Sequence, residues 1–181
     1  SPDGKLIVNQ SIKKAEGDSE VANMFRFGMT LTLQEEYDMI EFYGRGPIEN
    51  YSDRNSSEWI GIYNQSVESQ YYPYIRPQES GNKTDVRYWK VVNDEGKGLM
   101  FYGTEPLSMS SLNFATEDLD EGMSKVNRHS GDLVPRKSTT VHVDKVQAGL
   151  ACVNSWGAIP LEQYRLPHGD YEYTFVIEPV R

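Results

Sequence analysis

The stretch MFRFGMTLTL, residues 24–33, alternates between large apolar side chains and polar or small ones. Successive side chains of a β-strand point to opposite faces, so this spacing predicts a strand with one core-facing side. The stretch YEYTFVIE, residues 171–178, repeats the pattern. The predicted inward sets are Phe25, Phe27, Met29, Leu31 and Leu33 in the first stretch, and Tyr171, Tyr173, Phe175 and Ile177 in the second.

Shorter runs of the same kind predict further strands at residues 6–12, 39–43, 86–92, 99–102 and 140–146. The segment NDEGKG, residues 93–98, predicts a hairpin connection between two of them. Helical signals are few: Thr116 is a candidate cap for one short turn, and residues 56–62 for a second. Many short strands with little helix predict an all-β fold, an antiparallel β-sandwich.

Composition narrows the class of protein. The 181 residues suit one domain, and we expect residues 1–181 to form it. The formal net charge of −9, from 18 basic and 27 acidic residues, disfavours nucleic-acid partners and anionic membrane surfaces. No apolar run approaches the ~20 residues of a transmembrane helix. We therefore expect an acidic, globular domain with neither nucleic acid nor membrane as its partner.

The lone cysteine and the first residues carry two smaller expectations. Cys152 has no second cysteine to pair with, and its neighbours Ala151 and Val153 favour a small buried hydrophobe. The opening Ser1-Pro2-Asp3-Gly4 is typical of a turn, not of a signal peptide, and a predicted strand follows at once. This abrupt start leads us to expect a piece of a longer protein.

The region from Gly44 to Gly81 departs from the alternating pattern and is rich in Tyr, Pro and Asn. A long irregular segment inside a domain is usually functional or packs over another part of the protein. Two stretches within or overlapping it are distinctive, GRGPIENYSDRN (residues 44–55) and YYPYIRPQESGNKTDVRYW (residues 71–89).

These stretches closely resemble the C-terminal domain of bacterial β-galactosidases of glycoside hydrolase family 2. The resemblance continues over most of the chain, through Arg128-His129, Val141 to Asp144, Gly149, Asn154-Ser155-Trp156 and the closing strand from Gly169 to Tyr173. The elements that match in the two stretches are Gly46-Pro47, Glu49-Asn50-Tyr51, Asp53-Arg54, Pro73-Tyr74, Pro77, Glu79, Gly81 and Arg87.

The resemblance implies a large antiparallel super-sandwich of the galactose-mutarotase type, of which this chain is the C-terminal part. It also implies a larger multidomain glycosidase that hydrolyses terminal β-D-galactosides with retention. The two catalytic glutamates, held about 5–5.5 Å apart, belong to a separate (β/α)₈ barrel. No catalytic residue is therefore expected in this chain, and we expect the isolated chain to be inactive.

Partners and cofactors follow from the same resemblance. The implied partners are a galactoside substrate and the remaining domains of the parent enzyme. The sequence leaves open whether the protein forms a homo-oligomer, because an unpaired sheet edge can pair with a second copy of the chain. The resemblance implies no cofactor or metal in this segment and leaves open a requirement of the parent for Mg²⁺ and a monovalent cation. It implies a bacterial source and leaves the compartment, cytoplasm or periplasm, undecided.

Trp156 is the candidate substrate-binding residue. In the family that the chain resembles, a tryptophan after an Asp/Asn-Ser pair lines the sugar subsite, where a flat ring covers the apolar face of a sugar. The alternative is a core position, a frequent fate of large aromatic side chains. Trp59 and Trp89 are expected to be packing residues.

Other charged residues favour structural roles. Glu49, Asp53 and Arg54 are expected to stabilise a tight Gly-Pro turn, rather than to act as catalytic groups. Tyr72, Pro73 and Tyr74 are expected to pack this loop on its own domain or on the barrel of the parent enzyme. The acidic run of Glu117, Asp118, Asp120 and Glu121 lacks the ligand spacing of a calcium loop and predicts a solvated helix end. His129, His142 and His168 show no metal-ligand spacing, and His142 should lie on the strand face opposite Val141 and Val143.

Two functions of other classes stay open. A non-catalytic carbohydrate-binding or assembly module would bind galactose or lactose in calorimetry as an isolated chain. An aldose epimerase would need a paired Glu and His as base and acid, and the sequence matches no such pair. Polarimetry of sugar mutarotation would test the epimerase.

Overall fold

A computed structural model describes residues 3–17, 22–120, 122, 128–151, 153–154 and 156–181. The expectations for Ser1, Pro2, Glu121, Cys152 and Ser155 concern residues outside these ranges. The described residues form ten strands: β1 Leu6–Ile12, β2 Arg26–Gln34, β3 Met39–Gly46, β4 Trp59–Ser66, β5 Lys83–Val86, β6 Tyr88–Val92, β7 Gly98–Gly103, β8 Leu107–Leu112, β9 Ser138–Gln147 and β10 Tyr171–Val180. A short α-helix, α1, spans Thr116–Leu119, and 3₁₀ turns span Glu68–Gln70, Ser130–Asp132 and Glu162–Tyr164.

The strands form two antiparallel sheets. The large sheet has the order β1-β10-β7-β6-β3-β4, and the small sheet has the order β2-β9-β8-β5. Within the large sheet β10 is an interior strand, because it pairs with β1 on one side and β7 on the other. This architecture confirms the predicted all-β antiparallel sandwich. In the described ranges no helix is long and apolar enough to cross a membrane.

The core lies between the two sheets, with the large aromatic side chains at its centre. Trp89 of β6 is fully buried and stacks on Phe42 of β3, with ring centroids 4.8 Å apart. Its Nε1 donates a hydrogen bond of 2.9 Å to Ser111 Oγ of β8. Trp89 therefore connects the two sheets, which confirms its predicted packing role.

The inward-facing sets from the two alternating stretches are confirmed with one exception. Phe27, Tyr173 and Phe175 are buried in the core, and the remaining apolar members from Met29 onward pack against it. Phe25 precedes β2 and is 86% exposed, so its predicted inward position is wrong. The hairpin prediction is confirmed by the pairing of Val92 with Gly98.

Three local predictions need correction. Residues 56–62 are not helical: β4 pairs with β3, with Phe42 opposite Tyr63. Residues 86–92 are not one strand, because the chain leaves the small sheet after Val86 and enters the large sheet at Tyr88. The turn at Thr116 is present as α1, but the capping position is Ala115, whose amide donates to the Asp118 carboxylate at 2.8 Å.

Candidate functional site

The loop that carries Trp156 connects β9 to β10, and its two ends are joined at the base. The amide of Gly149 donates to the carbonyl of Tyr164 at 2.8 Å. We refer to residues 149–164 as the Trp156 loop. Trp156 itself is 93% exposed, and its amide donates to Asn154 Oδ1 at 2.8 Å. The alternative of a core position for Trp156 is therefore wrong for this chain.

Asp53 holds the start of this loop. Its Oδ2 accepts a hydrogen bond of 2.7 Å from the amide of Ala151, which has a φ of 55°. A Cβ on Gly149 would lie 2.6 Å from the same oxygen, so only glycine fits this close approach. The Gly-Pro segment of residues 44–55 is thus in direct contact with the base of the Trp156 loop. The predicted structural role of Asp53 agrees with these contacts.

Glu49 organises the rest of the Gly-Pro segment. Arg54 Nη2 donates to Glu49 Oε1 at 2.6 Å, and the amide of Gly81 donates to Glu49 Oε2 at 2.6 Å. The Tyr74 hydroxyl also hydrogen-bonds to Glu49, and burial together with this bond raises the pKa of Tyr74 to about 12. The rings of Tyr72 and Tyr74 lie 4.7 Å apart. These contacts match the structural roles predicted for Glu49, Arg54 and Tyr74.

A cavity of about 460 Å³ lies on the outer face of the small sheet, beside the first residues of the Trp156 loop. We name it the outer cavity. Its apolar lining comes from Phe25, Leu112, Phe114, Leu119, Ala148, Gly149 and Leu150. Its polar lining comes from Arg26, Thr30, Gln78, Glu79, Thr116, Asp120, His142 and Gln147.

Strand pairing brings the polar groups of the cavity together. Arg26 of β2 pairs with Gln147 of β9, and Thr30 pairs with His142. A bulge between Phe27 and Gly28 shifts the register, and Asp144 lies over Gly28, where an added Cβ would be 1.9 Å from Asp144 Oδ1. A glycine at position 28 therefore leaves the room that the Asp144 carboxylate occupies.

Arg26 is the cation at the centre of this group. Its Nη2 lies 2.7 Å from Glu79 Oε2, and its Nη1 lies 3.6 Å from Asp144 Oδ2. Burial raises the pKa of Asp144 to about 7, although Arg26 opposes the shift. Burial likewise raises the pKa of Glu79, again against Arg26.

His142 lies on the face opposite Val141 and Val143, as predicted, and is only 6% exposed. Its Nδ1 lies 2.9 Å from Thr30 Oγ1. Burial, with a smaller contribution from Arg26, lowers its pKa to about 3. His142 is therefore neutral near pH 7. Because general acid–base groups work best with a pKa near the operating pH, His142 is suited to hydrogen bonding and not to proton transfer near pH 7.

The remaining site predictions have mixed outcomes. Trp59 is 81% exposed, so its predicted packing role is wrong within this chain. Asp118 forms two hydrogen bonds with Arg136, of 2.6 and 2.9 Å, which supports a structural helix end. His129 Nδ1 lies 3.2 Å from the carbonyl of Ile75. Among the described residues, no group of three or more His, Cys, Asp or Glu is placed to hold a metal ion.

Sequence reasoning missed the outer cavity. Glu79 was noted only as one element of a motif, while Arg26 and Gln147 were not singled out at all. The cavity depends on the pairing of β2 with β9, which places Arg26 beside Gln147 and Thr30 beside His142. Alternation predicts both strands but not which strand lies next to which.

Known proteins that are similar to this chain belong to the family that the motifs resemble. The model of the family described as "Beta galactosidase small chain" matches residues 1–177. A "Beta-galactosidase" of Priestia megaterium is 34% identical over 98% of this chain, which corresponds to 16% of that protein. Proteins of the same name from Streptococcus thermophilus and Halalkalibacterium halodurans are each 30% identical, over 91% and 99% of this chain.

These alignments cover 16% and 17% of those two relatives, so the chain spans about one-sixth of the length of the curated relatives it matches. The match to the family model extends over nearly all of the described strands, from β1 into β10. The chain therefore belongs to the β-galactosidase small-chain family.

Proposed function

We propose that this chain is the C-terminal part of the terminal β-sandwich of a larger retaining β-galactosidase of glycoside hydrolase family 2. Family membership, relatives named β-galactosidase and the small share of each relative that is matched support this proposal. In it, the complete domain is a super-sandwich of the galactose-mutarotase type. Hydrolysis of terminal β-D-galactosides is carried out by two glutamates outside this chain.

The observation that carries the proposal is the exposed Trp156 on a loop with a fixed base. A free indole ring is costly to leave in water, and it offers a flat apolar surface that suits one face of a pyranose. Asp53 and the Gly149–Tyr164 contact hold both ends of the loop that presents this ring. In this proposal, Trp156 forms one wall of the galactoside pocket in the assembled enzyme.

The exposed apolar side chains of β4 support contact with the remaining domains of the parent enzyme. Trp59, Ile60 and Ile62 are all exposed, and Ile62 lies opposite the exposed Tyr43 on β3. β4 is also an edge strand with one neighbour. Apolar surface at a sheet edge is typical of an interface. The chain matches about one-sixth of each relative, so we propose that other domains of the enzyme cover this surface.

A metal requirement of the parent belongs, in this proposal, outside the chain. The donor sets among the described residues do not fit a bound Mg²⁺, because no three acidic or His side chains converge. A test is the Mg²⁺ dependence of the parent, which should be unchanged when Asp118 is replaced by Asn.

The decisive experiment compares kinetics with 4-nitrophenyl β-D-galactoside. The isolated chain should give no turnover, and the parent enzyme should give rapid turnover. Trp156→Ala in the parent should raise KM about tenfold, equivalent to about 1.4 kcal/mol of binding. Trp156→Tyr, which keeps an aromatic face, should recover part of the loss.

Two results would contradict the proposal. Robust hydrolysis by the isolated chain would place catalytic groups within it. Unchanged KM and kcat in Trp156→Ala would remove Trp156 from the galactoside pocket. Because Trp156 is exposed, the variant should unfold at the same denaturant concentration as the unmodified protein, which separates binding from folding.

A further inference from the structure

We infer that the outer cavity is a second binding site, separate from Trp156, for a neutral polyhydroxylated ligand of the size of one or two sugar rings. The inference does not depend on the hydrolytic function proposed above, because it uses only groups within this chain. The volume of the outer cavity, about 460 Å³, lies within the range of roughly 300–1,000 Å³ that is usual for small-molecule sites.

The walls of the outer cavity combine apolar and hydrogen-bonding surfaces. Phe25 and Phe114 contribute aromatic rings, and Phe25 is held out of the core at 86% exposure. Glu79, His142 and Gln147 contribute polar atoms to the same space. A pyranose has the matching chemistry, since its C–H face packs on aromatic rings while its hydroxyls both donate and accept hydrogen bonds.

Several polar atoms around the cavity have unused hydrogen-bonding capacity. Gln147 Oε1 and Arg26 Nη1 are buried and have no hydrogen-bond partner among the described residues, although Arg26 Nη1 lies 3.6 Å from Asp144 Oδ2. His142 uses Nδ1 toward Thr30, and its Nε2 makes no hydrogen bond within the described part of the chain. Buried polar groups are normally paired, so such groups at a cavity wall indicate a missing partner. The hydroxyl groups of a ligand can donate and accept hydrogen bonds, so they can pair with each of these protein atoms.

Charge in the cavity favours a neutral ligand over an anion. Arg26 is already neutralised by Glu79 at 2.7 Å, with Asp144 behind it at 3.6 Å. His142 is neutral near pH 7 because its pKa is lowered by burial and by Arg26. Asp120 and Glu79 line the same space, and the whole chain carries −9. Among the described residues that line the cavity, Arg26 is the only cation and it already has counter-ions, so a phosphate or carboxylate ligand gains little there.

The test is a binding titration of the full chain by calorimetry and by ligand-observed NMR. The probes are D-galactose, D-glucose and myo-inositol as neutral polyols, with gluconate and glucose 6-phosphate as anionic comparators. We expect saturable binding of at least one neutral polyol, and at least tenfold weaker binding of both anions. Absence of saturable binding by all three neutral probes overturns the inference, as does tighter binding of an anion.

Variants then locate the site. His142→Asn keeps a polar atom near Thr30 and removes Nε2, and it should weaken polyol binding at least tenfold. His142→Gln, which restores a polar atom near the Nε2 position, should recover part of that loss. Phe25→Ala should weaken binding at least threefold, and its exposed position keeps it a valid test if the His142 variants fail to fold.

Matched controls separate this cavity from the rest of the surface. Ile7→Ala removes an exposed apolar side chain from β1 of the other sheet and should leave the affinity unchanged. Trp156→Ala distinguishes the two sites. If affinity falls in Trp156→Ala but not in Phe25→Ala or His142→Asn, the sugar binds at Trp156 and the outer cavity is not its site.

Discussion

The carboxylate of Asp53 and the amide of Ala151, 98 residues apart along the chain, form a hydrogen bond of 2.7 Å. Through this contact the Gly-Pro segment of residues 44–55 fixes the first turn of the loop that carries Trp156. Asp53 reaches Trp156 only through the backbone, so it is a positioning residue. The proposed substrate wall therefore depends on a side chain from a different part of the sequence.

Replacing Asp53 tests this dependence. Asp53→Ala removes the acceptor for the Ala151 amide, and we expect a loss of about 1–3 kcal/mol in the free energy of unfolding. Hydrogen exchange of the Ala151 amide should become faster by more than the global loss accounts for. Asp53→Asn keeps an oxygen acceptor and should show a smaller effect. Equal exchange rates in all three proteins would show that the bond does not hold the loop.

The close approach of Gly149 to Asp53 gives a second prediction. Gly149→Ala places a Cβ 2.6 Å from Asp53 Oδ2, so the loop base must shift. We expect a destabilisation of about 1–3 kcal/mol, measured by denaturant unfolding. Gly131→Ala is the matched control, because apart from its chain neighbours no described residue has a heavy atom within 4 Å of its added Cβ. Equal stability of the two variants would contradict the predicted steric conflict.

Glu49 provides a third test, because three donors converge on its carboxylate. Glu49→Ala leaves Arg54, the Tyr74 hydroxyl and the amide of Gly81 without their acceptor. We expect a loss of about 2–3 kcal/mol in the free energy of unfolding. The pKa of Tyr74 should also fall from about 12, as measured by ultraviolet titration of the phenol. Glu49→Gln keeps an acceptor oxygen, and a loss as large as that of Glu49→Ala would argue against these bonds.

Asp144 and His142 should make opposite contributions to the pH dependence of stability. The folded pKa of Asp144 is raised from 3.8 to about 7, so between these values the folded chain binds a proton that the unfolded chain releases. Stability from Asp144 therefore falls as pH rises through this window. The folded pKa of His142 is lowered from 6.5 to about 3, so its contribution falls as pH decreases through 6.5.

Variants reveal these two slopes, each about 1.4 kcal/mol per pH unit. Between about pH 4 and 6.5 they offset each other in the unmodified chain. Relative to that chain, Asp144→Asn should lose stability on acidification, and His142→Asn should gain it. Urea unfolding at pH 4.5, 5.5 and 6.5 measures both. Parallel profiles for the three proteins would contradict the assigned pKa shifts. Arg26 and Glu79, which face both groups, are unchanged in every comparison.

The sequence pattern predicts those strands that have one apolar face and one polar face. β1 was predicted with its observed bounds, and its apolar residues Val8 and Ile12 pack against the core. β8, with the sequence LSMSSL, was missed since its serines are buried along with its apolar residues. A sheet that is covered on both faces hides the alternation that identifies a strand. β8 is buried on both faces by segments that are distant in sequence, so no local pattern predicts this burial.

The same limit applies to the candidate site. Trp156 was identified through a motif, and Asp53 was correctly given a structural role, but their connection through Ala151 was not predicted. Trp59 was expected to pack because large aromatics usually do. It lies instead at the start of β4, an edge strand among the described strands, and its side chain is 81% exposed. Contacts between distant segments depend on strand order, and periodicity gives no information about that order.

The interior place of β10 in the large sheet has a consequence for biosynthesis. β10 follows every other described strand along the chain, yet it separates β1 from β7. A nascent chain that ends at Asp170 therefore has a divided sheet, and the inner surfaces that Tyr173 and Phe175 cover stay in water. Closure of the sandwich waits until the ribosome has delivered these last strand residues. Translational pausing or a nonsense codon just upstream of Tyr171 leaves a polypeptide with exposed apolar surface and unpaired strands. Such a polypeptide is prone to aggregation and is recognised by chaperones and proteases.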